Sequence, residues 1–340
     1  MAYRADYVEA VRTQPQHLRA ALERLERDAA DAALPPWLPG QTVAVVAMGA
    51  STHSAWVLGP VLADAGLRFA NLTASEVRPG FQPADHYVLV SESGRSPEPI
   101  AAARGLTAGE RVTISNFPEA QVAEVTDAAL GLGGFDDSPV YTVGYTATLL
   151  AYAVLLRRQG VPADDPAAIP AAVEVALARY ADVASHVGDV LAAARAVDCV
   201  GAGPSFATAS ETALMLREGI RVPAAAFDTG QYAHGPIEAA HDGVAVVLFG
   251  DGRELSLVEP LLAHGCDVVA LTAFPERVSA ATSGHLTVVP LPDGDGPVTR
   301  AAREVVVAQL ALARAVEHRP FTIAESLYHD LDTKLEESAP

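Results

Sequence analysis

Apolar positions recur at helical spacing over residues 5 to 30, at Val8, Val11, Leu18, Leu22 and Leu25, with Gln14-Pro15 in their midst. That spacing predicts a helical lead-in, interrupted at the proline because proline has no N–H to donate. From Thr42 the period changes. Short apolar runs at Val43–Ala47, Tyr87–Val90 and Arg111–Ser115 alternate with Ala/Leu-rich stretches near 53 to 65 and 98 to 105. Strands alternating with helices predict a parallel sheet covered on both faces. Residues 140 to 159 read as a further helix, which Gly160-Val161-Pro162-Ala163-Asp164-Asp165-Pro166 breaks; this is the linker candidate. A helical stretch from 168 to 194 follows. The alternation then restarts, with strand 197 to 200, helix 205 to 219, strand 244 to 249, helix 253 to 264, strands 267 to 271 and 285 to 289, and helix 298 to 317. Each half opens with an apolar strand ending in Gly-Ala or Gly-Ala-Gly, then a serine-containing turn and a helix, which predicts a duplicated α/β unit. Ligand clefts are expected at the strand C-termini, where open parallel sheets bind.

Composition narrows the chemistry. At 340 residues and 50% hydrophobic, the chain can fill two cores. No apolar run is long enough to cross a membrane, and the start Met1-Ala2-Tyr3-Arg4-Ala5-Asp6 lacks the basic-then-apolar pattern of an export signal, so a cytoplasmic protein is expected. A net charge of -19 argues against nucleic-acid and anionic-membrane partners. An anionic ligand must therefore be captured by backbone N–H groups and hydroxyls. Cys199 and Cys266 sit inside apolar runs and read as buried thiols. His53, His86, His234 and His241 show no ligand spacing, so neither a metal nor a cofactor is expected.

Two turns and one segment carry the candidate chemistry. Met48-Gly49-Ala50-Ser51-Thr52 and Ser91-Glu92-Ser93-Gly94-Arg95-Ser96 each end a strand, offering hydroxyls and a helix N-terminus that together can surround a phosphate. Glu92 repels an anion there unless it points away or pairs with Arg95. Further on, Gly201-Ala202-Gly203 leads into a helix bearing Glu211 and Glu218, followed by His234-Gly235-Pro236. A carboxylate against an apolar helix takes and returns protons near neutral pH, and a neutral imidazole relays them. This is equipment for moving protons on a sugar.

In this order, with the lead-in Tyr7 to Pro15 and Ser75-Glu76-Val77-Arg78, these motifs resemble sugar isomerase (SIS) domain proteins, above all the isomerase half of the glucosamine-6-phosphate synthases. The resemblance implies two tandem SIS-type subdomains, each a parallel sheet flanked by helices in a flavodoxin-like, Rossmann-like three-layer sandwich. It places the lead-in at 1–35, the first SIS domain at 36–160, the second at 161–319 and an active-site tail at 320–340. Gly49, Ala50, Ser51, Ser91, Glu92, Ser93 and Ser96 match the phosphate-binding turns, and Thr142 lies near a further substrate hydroxyl. Glu218 matches the general base that carries a proton between C1 and C2 of the open-chain sugar. His234 matches the histidine that assists ring opening, often across a dimer interface, and a homodimer is expected.

The departures from the family matter too. Where the synthases carry a lysine three positions before the base, this chain has Met215, and Glu325 falls at the register of their tail lysine. Lys334, the only lysine of the chain, is then the candidate for a shifted Schiff-base amine. A chain without the synthases' glutaminase domain is expected. The expected activity is aldose-ketose isomerisation or deamination of a ketose or aminosugar 6-phosphate. A fructosamine-6-phosphate deglycase and a non-catalytic sugar-phosphate-binding regulator are the alternatives.

Overall fold

The computed structural model describes residues 5–278, 284–323 and 327–328. Helix α1 (Tyr7–Asp31) starts at Asp6, whose carboxylate accepts from the N–H groups of Val8 and Glu9. It runs unbroken through Pro15, contrary to the expected interruption. The carbonyl of Val11, which a residue other than proline at 15 would have bonded, instead accepts from Gln14 Nε2 at 3.0 Å. A side chain thus replaces the missing backbone donor.

The first sheet comprises β1 (Thr42–Ala47), β2 (Arg68–Thr73), β3 (His86–Val90), β4 (Glu110–Ser115) and β5 (Ala128–Gly131), all parallel, in spatial order β2-β1-β3-β4-β5. Helices α2 (Ala50–Ser54) and α3 (Leu58–Asp64), separated by a 3-10 turn, lie between β1 and β2, and α4 (Pro97–Gly105) lies between β3 and β4. Three helices follow: α5 (Val143–Arg158), α6 (Ala168–Arg179) and α7 (Ala181–Ala193). The second sheet holds β6 (Ala196–Gly201), β7 (Ala224–Asp228), β8 (Val244–Phe249), β9 (Asp267–Thr272) and β10 (Leu286–Pro290), again parallel, in order β7-β6-β8-β9-β10. Its helices are α8 (Ser205–Gly219), α9 (Thr229–Tyr232), α10 (Val258–Ala263) and α11 (Pro297–Val316). Numbered within each half, both sheets read 2-1-3-4-5, so the duplication is one of topology.

Three strands escaped the sequence pattern: β2, β5 and β7. All three are sheet edges and only partly buried, whereas the central strands β1, β3 and β8 are buried along almost their whole length. An edge strand covered on fewer sides needs no continuous apolar run. The expected helix at 168 to 194 is two helices meeting at Tyr180, and that at 253 to 264 is a 3-10 turn followed by α10.

One apolar core crosses between the halves, with Leu18 of α1, Tyr152 of α5, Leu216 of α8 and Leu312 of α11 all essentially inaccessible. Each such side chain contributes about 1.5–3 kcal/mol. Through it runs a buried polar chain: Thr146 donates to Gln14 Oε1 at 2.8 Å, Gln14 Nε2 to Gln309 Oε1 at 2.8 Å, and Gln309 Nε2 to the Thr142 carbonyl at 3.3 Å. This ties α1, α5 and α11 in one register. Asp164, in the segment before α6, caps α11 by accepting from Val298 and Thr299 N–H. Both cysteines are free and buried, and no described helix is long and apolar enough to cross a membrane.

Candidate active site

Residue Ala47 of β1 pairs with Val90 of β3, so the two strands release their chains side by side at Met48-Gly49 and Ser91. From β1 the order runs outward to β2 on one side and to β3 on the other, which makes this the point where the winding reverses, where open parallel sheets bind their ligands. Gly49, at φ 54° and ψ −134°, lets the chain turn straight into α2. Gly94, at φ 63°, allows the second turn to close. A Cβ there would stand 2.6 Å from that of Ala120. Within this turn Gly94 N–H donates to the Ser91 carbonyl and Arg95 N–H to Ser93 Oγ. Ser96 leads into α4, whose first residue is Pro97. Ser51, Ser91, Ser93 and Ser96 therefore stand on the two turns that leave neighbouring strands at this point of reversal. Ser91 is 3% exposed, and its hydroxyl makes no hydrogen bond among the described residues.

Glu92 is turned toward the start of α5: Oε1 accepts from Asn116 Nδ2 at 3.0 Å, and its Cγ lies 3.1 Å from where a Cβ on Gly144 would be. The expected conflict with an anion is eased because the carboxylate leans toward these partners. Tyr141, which sequence reasoning did not single out, hydrogen-bonds Glu92; burial first, then the charges of Glu92, Asp137 and Glu218, push its phenol well up. An aromatic at this position, inside a stretch that reads as helix from 140 to 159, has no distinctive local signature. Thr142 is fully buried, and its hydroxyl donates to Asp137 at 2.6 Å, inside the protein. Asp137 also accepts from the N–H groups of Ser138, Thr142 and Gly144 at the head of α5. Desolvation nevertheless raises its carboxyl.

Glu218 occupies the last turn of α8, seven residues after Glu211 and so on the same face. Its side chain reaches solvent in the single chain. Enough protein surrounds the carboxyl that desolvation, aided by the charge of Glu211, raises it to about 7. Its influence on Tyr141 places it within electrostatic reach of the loop that holds Glu92. Glu211 itself is buried and faces His53 of α2, Nδ1 to Oε2, at 3.1 Å. His234 is exposed on the turn after α9, and its side chain makes no hydrogen bond or ion pair among the described residues. Met215 is buried in the core, where a lysine ammonium would need a partner. Glu325 and Lys334 lie outside the described residues.

The second sheet has a crevice of about 610 Å³ between the exits of β6 and β8. Here the chain's own carboxylates occupy the donors. Asp251 accepts from Thr272 Oγ1 at 2.7 Å, Ala273 N–H at 2.7 Å and Arg300 at 2.8 Å, while Glu254 accepts from Thr229 and from Gly252 N–H. An incoming anion would have to displace them, whereas the corresponding point of the first sheet offers serine turns in their place.

Comparison with known proteins agrees with this architecture. No protein-family model matches the chain. The glutamine–fructose-6-phosphate aminotransferase (isomerizing) of Halobacterium salinarum is 26% identical over 339 residues, covering 91% of this chain and 55% of that protein. The chain spans about half the length of the curated relatives it matches. The C-terminal domain of the glucosamine-fructose-6-phosphate aminotransferase of Francisella tularensis superposes with a TM-score of 0.77 at 16% identity, over 93% of this chain and 96% of that one. A glucosamine-6-phosphate deaminase from Thermotoga maritima gives 0.76 at 17% identity, over 97% and 99%. Two parallel five-stranded sheets of one topology, joined through shared helices, match the architecture of tandem SIS-type α/β domains. Within that class the chain resembles the isomerase half of glucosamine-6-phosphate synthase.

Proposed function

We propose that this chain is a phosphosugar-converting enzyme of the aldose-ketose isomerase or deaminase type, acting on a ketose or aminosugar 6-phosphate. The observation that carries the reading is the Glu218 carboxyl, raised to about 7 and coupled to Tyr141 beside the serine turns. In this reading Ser51, Ser91, Ser93 and Ser96, with the N–H groups of both turns, bind the phosphate, and Gly49 and Ala50 shape the first turn. The open-chain sugar extends toward Glu218. Glu218 removes the proton from the carbon beside the carbonyl, the carbonyl oxygen gains a proton, and a cis-enediol or enolamine forms. Return of the proton to the neighbouring carbon, as the hydroxyl on the deprotonated carbon gives up its own proton to become the new carbonyl, completes isomerisation. With an amino group at the carbon that lost the proton, the resulting imine adds water and releases ammonia. A side chain titrating near 7 suits both taking and returning the proton. His234, exposed and without a side-chain partner among the described residues, assists ring opening from the partner subunit of a homodimer. The protein named as a glucosamine-6-phosphate deaminase among the structural neighbours supports the deaminase form at the level of fold.

A fructosamine-6-phosphate deglycase is the second reading, favoured by one observation: Met215 is buried where the synthases carry lysine, so this step proceeds without an amine at that position. Lys334, and Glu325 at the register of the tail lysine, remain candidates for completing the site. The deciding assay offers fructose 6-phosphate, glucosamine 6-phosphate and fructosamine 6-phosphate to the protein and to Glu218→Gln. Turnover of one of them that is lost in the variant, with binding retained, establishes the enzyme. Ammonia release from glucosamine 6-phosphate separates deaminase from deglycase, and full activity of Lys334→Arg removes the Schiff-base role. Binding of all three without turnover by the unmutated chain overturns the proposal in favour of a sugar-phosphate-binding regulator.

A further inference from the structure

We propose that His53 is a positioning residue for Glu218, acting across the junction of the two halves by holding Glu211 and offsetting its charge. The inference rests on the reading of Glu218 as the base. His53 belongs to α2, two residues beyond Ser51 of the first serine turn, while Glu211 belongs to α8 of the second half. Their contact at 3.1 Å joins positions 158 residues apart. The Glu211 side chain is 2% exposed and that of His53 26%, so the pair is largely shielded from bulk solvent. An ionised Glu211 requires His53 to present Nδ1–H to it, which sets the ring's tautomer and orientation.

The consequence for the base follows from helix geometry. Seven residues separate Glu211 from Glu218, so they share a face and lie about 10 Å apart along the axis. The charged and titratable neighbours of this face are few. Tyr141 approaches Glu218 from the loop before α5, with Glu92 behind it; Tyr7 of α1 and Tyr145 of α5 approach Glu211. Arg217 is turned to the Ala224 carbonyl, and Arg221 lies over the Phe321 ring. Among the described residues, His53 is thus the basic side chain in hydrogen-bond contact with Glu211. Two charges about 10 Å apart at an effective dielectric near 20 displace each other's titration by about one pH unit. Whatever compensates Glu211 therefore tunes Glu218, and the compensating group stands on the helix that begins at the phosphate turn.

The test follows the Glu218 carboxyl directly, by carbon-13 NMR of protein labelled at the glutamate side-chain carboxyl, with the resonance assigned through Glu218→Gln. His53→Gln, with His53→Asn as a second neutral replacement, is expected to raise the Glu218 midpoint. Glu211→Gln is expected to lower it by about one pH unit. The double variant His53→Gln/Glu211→Gln should titrate like Glu211→Gln alone, because His53 acts through Glu211. A midpoint unmoved by either single change, or a His53 effect that persists without Glu211, overturns the proposal. Turnover is measured on the same samples. Midpoints that shift as expected in a protein that converts no sugar phosphate uphold the coupling and sink the base assignment, so the two failures are distinguishable.

Discussion

Replacing Glu218 with glutamine should inactivate the protein and stabilise it, and the stabilisation should depend on pH. Glu218 titrates at about 7 in the folded chain against an ordinary 4.5, chiefly because folding removes water from the carboxyl and secondarily because Glu211 is near. A carboxyl raised by folding costs stability once it ionises. Below about 4.5 it is protonated whether or not the chain is folded, and the cost vanishes; between 4.5 and 7 the cost grows; above 7 it is fully present. For a sealed-off group the difference would correspond to about 3 kcal/mol. The side chain reaches solvent, and screening reduces this to about 1–2 kcal/mol. Glutamine, neutral at all pH, carries no such cost. Urea unfolding of both proteins at pH 4.5 and pH 8 measures it, since other titrating groups cancel in the comparison. The variant should gain about 1–2 kcal/mol at pH 8 and close to nothing at pH 4.5. On whichever sugar phosphate is turned over, the unmutated protein should lose rate about tenfold per pH unit below 7. A variant equally stable relative to the parent at both pH values would refute the idea that burial and Glu211 strain this carboxylate.

Other perturbations probe the frame around it. Ser91→Ala removes a hydroxyl that has no partner among the described residues, so the melting temperature should hold or rise slightly while binding of inorganic phosphate or a sugar phosphate weakens by about tenfold; a drop in stability would mean the hydroxyl is already satisfied. Gly94→Ala forces an L side chain into φ 63° and against Ala120, and should cost about 2–4 kcal/mol in denaturant unfolding as well as phosphate affinity. Gln14→Ala strands Val11, Thr146 and Gln309 at the junction of α1, α5 and α11, and a loss of about 2–3 kcal/mol in urea is expected. A loss below about 0.5 kcal/mol would show that this buried polar chain is dispensable.

Much of this protein could be read before it was folded. Apolar runs such as Val43–Ala47 and Val244–Phe249 announce central parallel strands because strands covered on both sides need nothing else. Glycines at 49 and 94 mark turns whose left-handed backbone few other residues tolerate. The serine turns and the carboxylates of α8 were legible for the same reason: their signals lie within a few residues of one another. Edge strands β2, β5 and β7 were not legible, since half-buried edges lack that run. Nor did local pattern reveal that Pro15 would be accommodated by its neighbour Gln14, itself held by Thr146 and Gln309 from far along the chain.

The site divides in the same way. Residue types and the two turns follow from the sequence alone, because covalent neighbours and backbone sterics decide them. The inward-facing hydroxyl of Thr142, the lean of Glu92 toward Asn116, the place of Tyr141 and the pairing of His53 with Glu211 are settled only by tertiary structure. Each depends on burial and on partners that folding brings together, as far as 158 residues apart for His53 and Glu211, and a charge's environment does not exist until they meet.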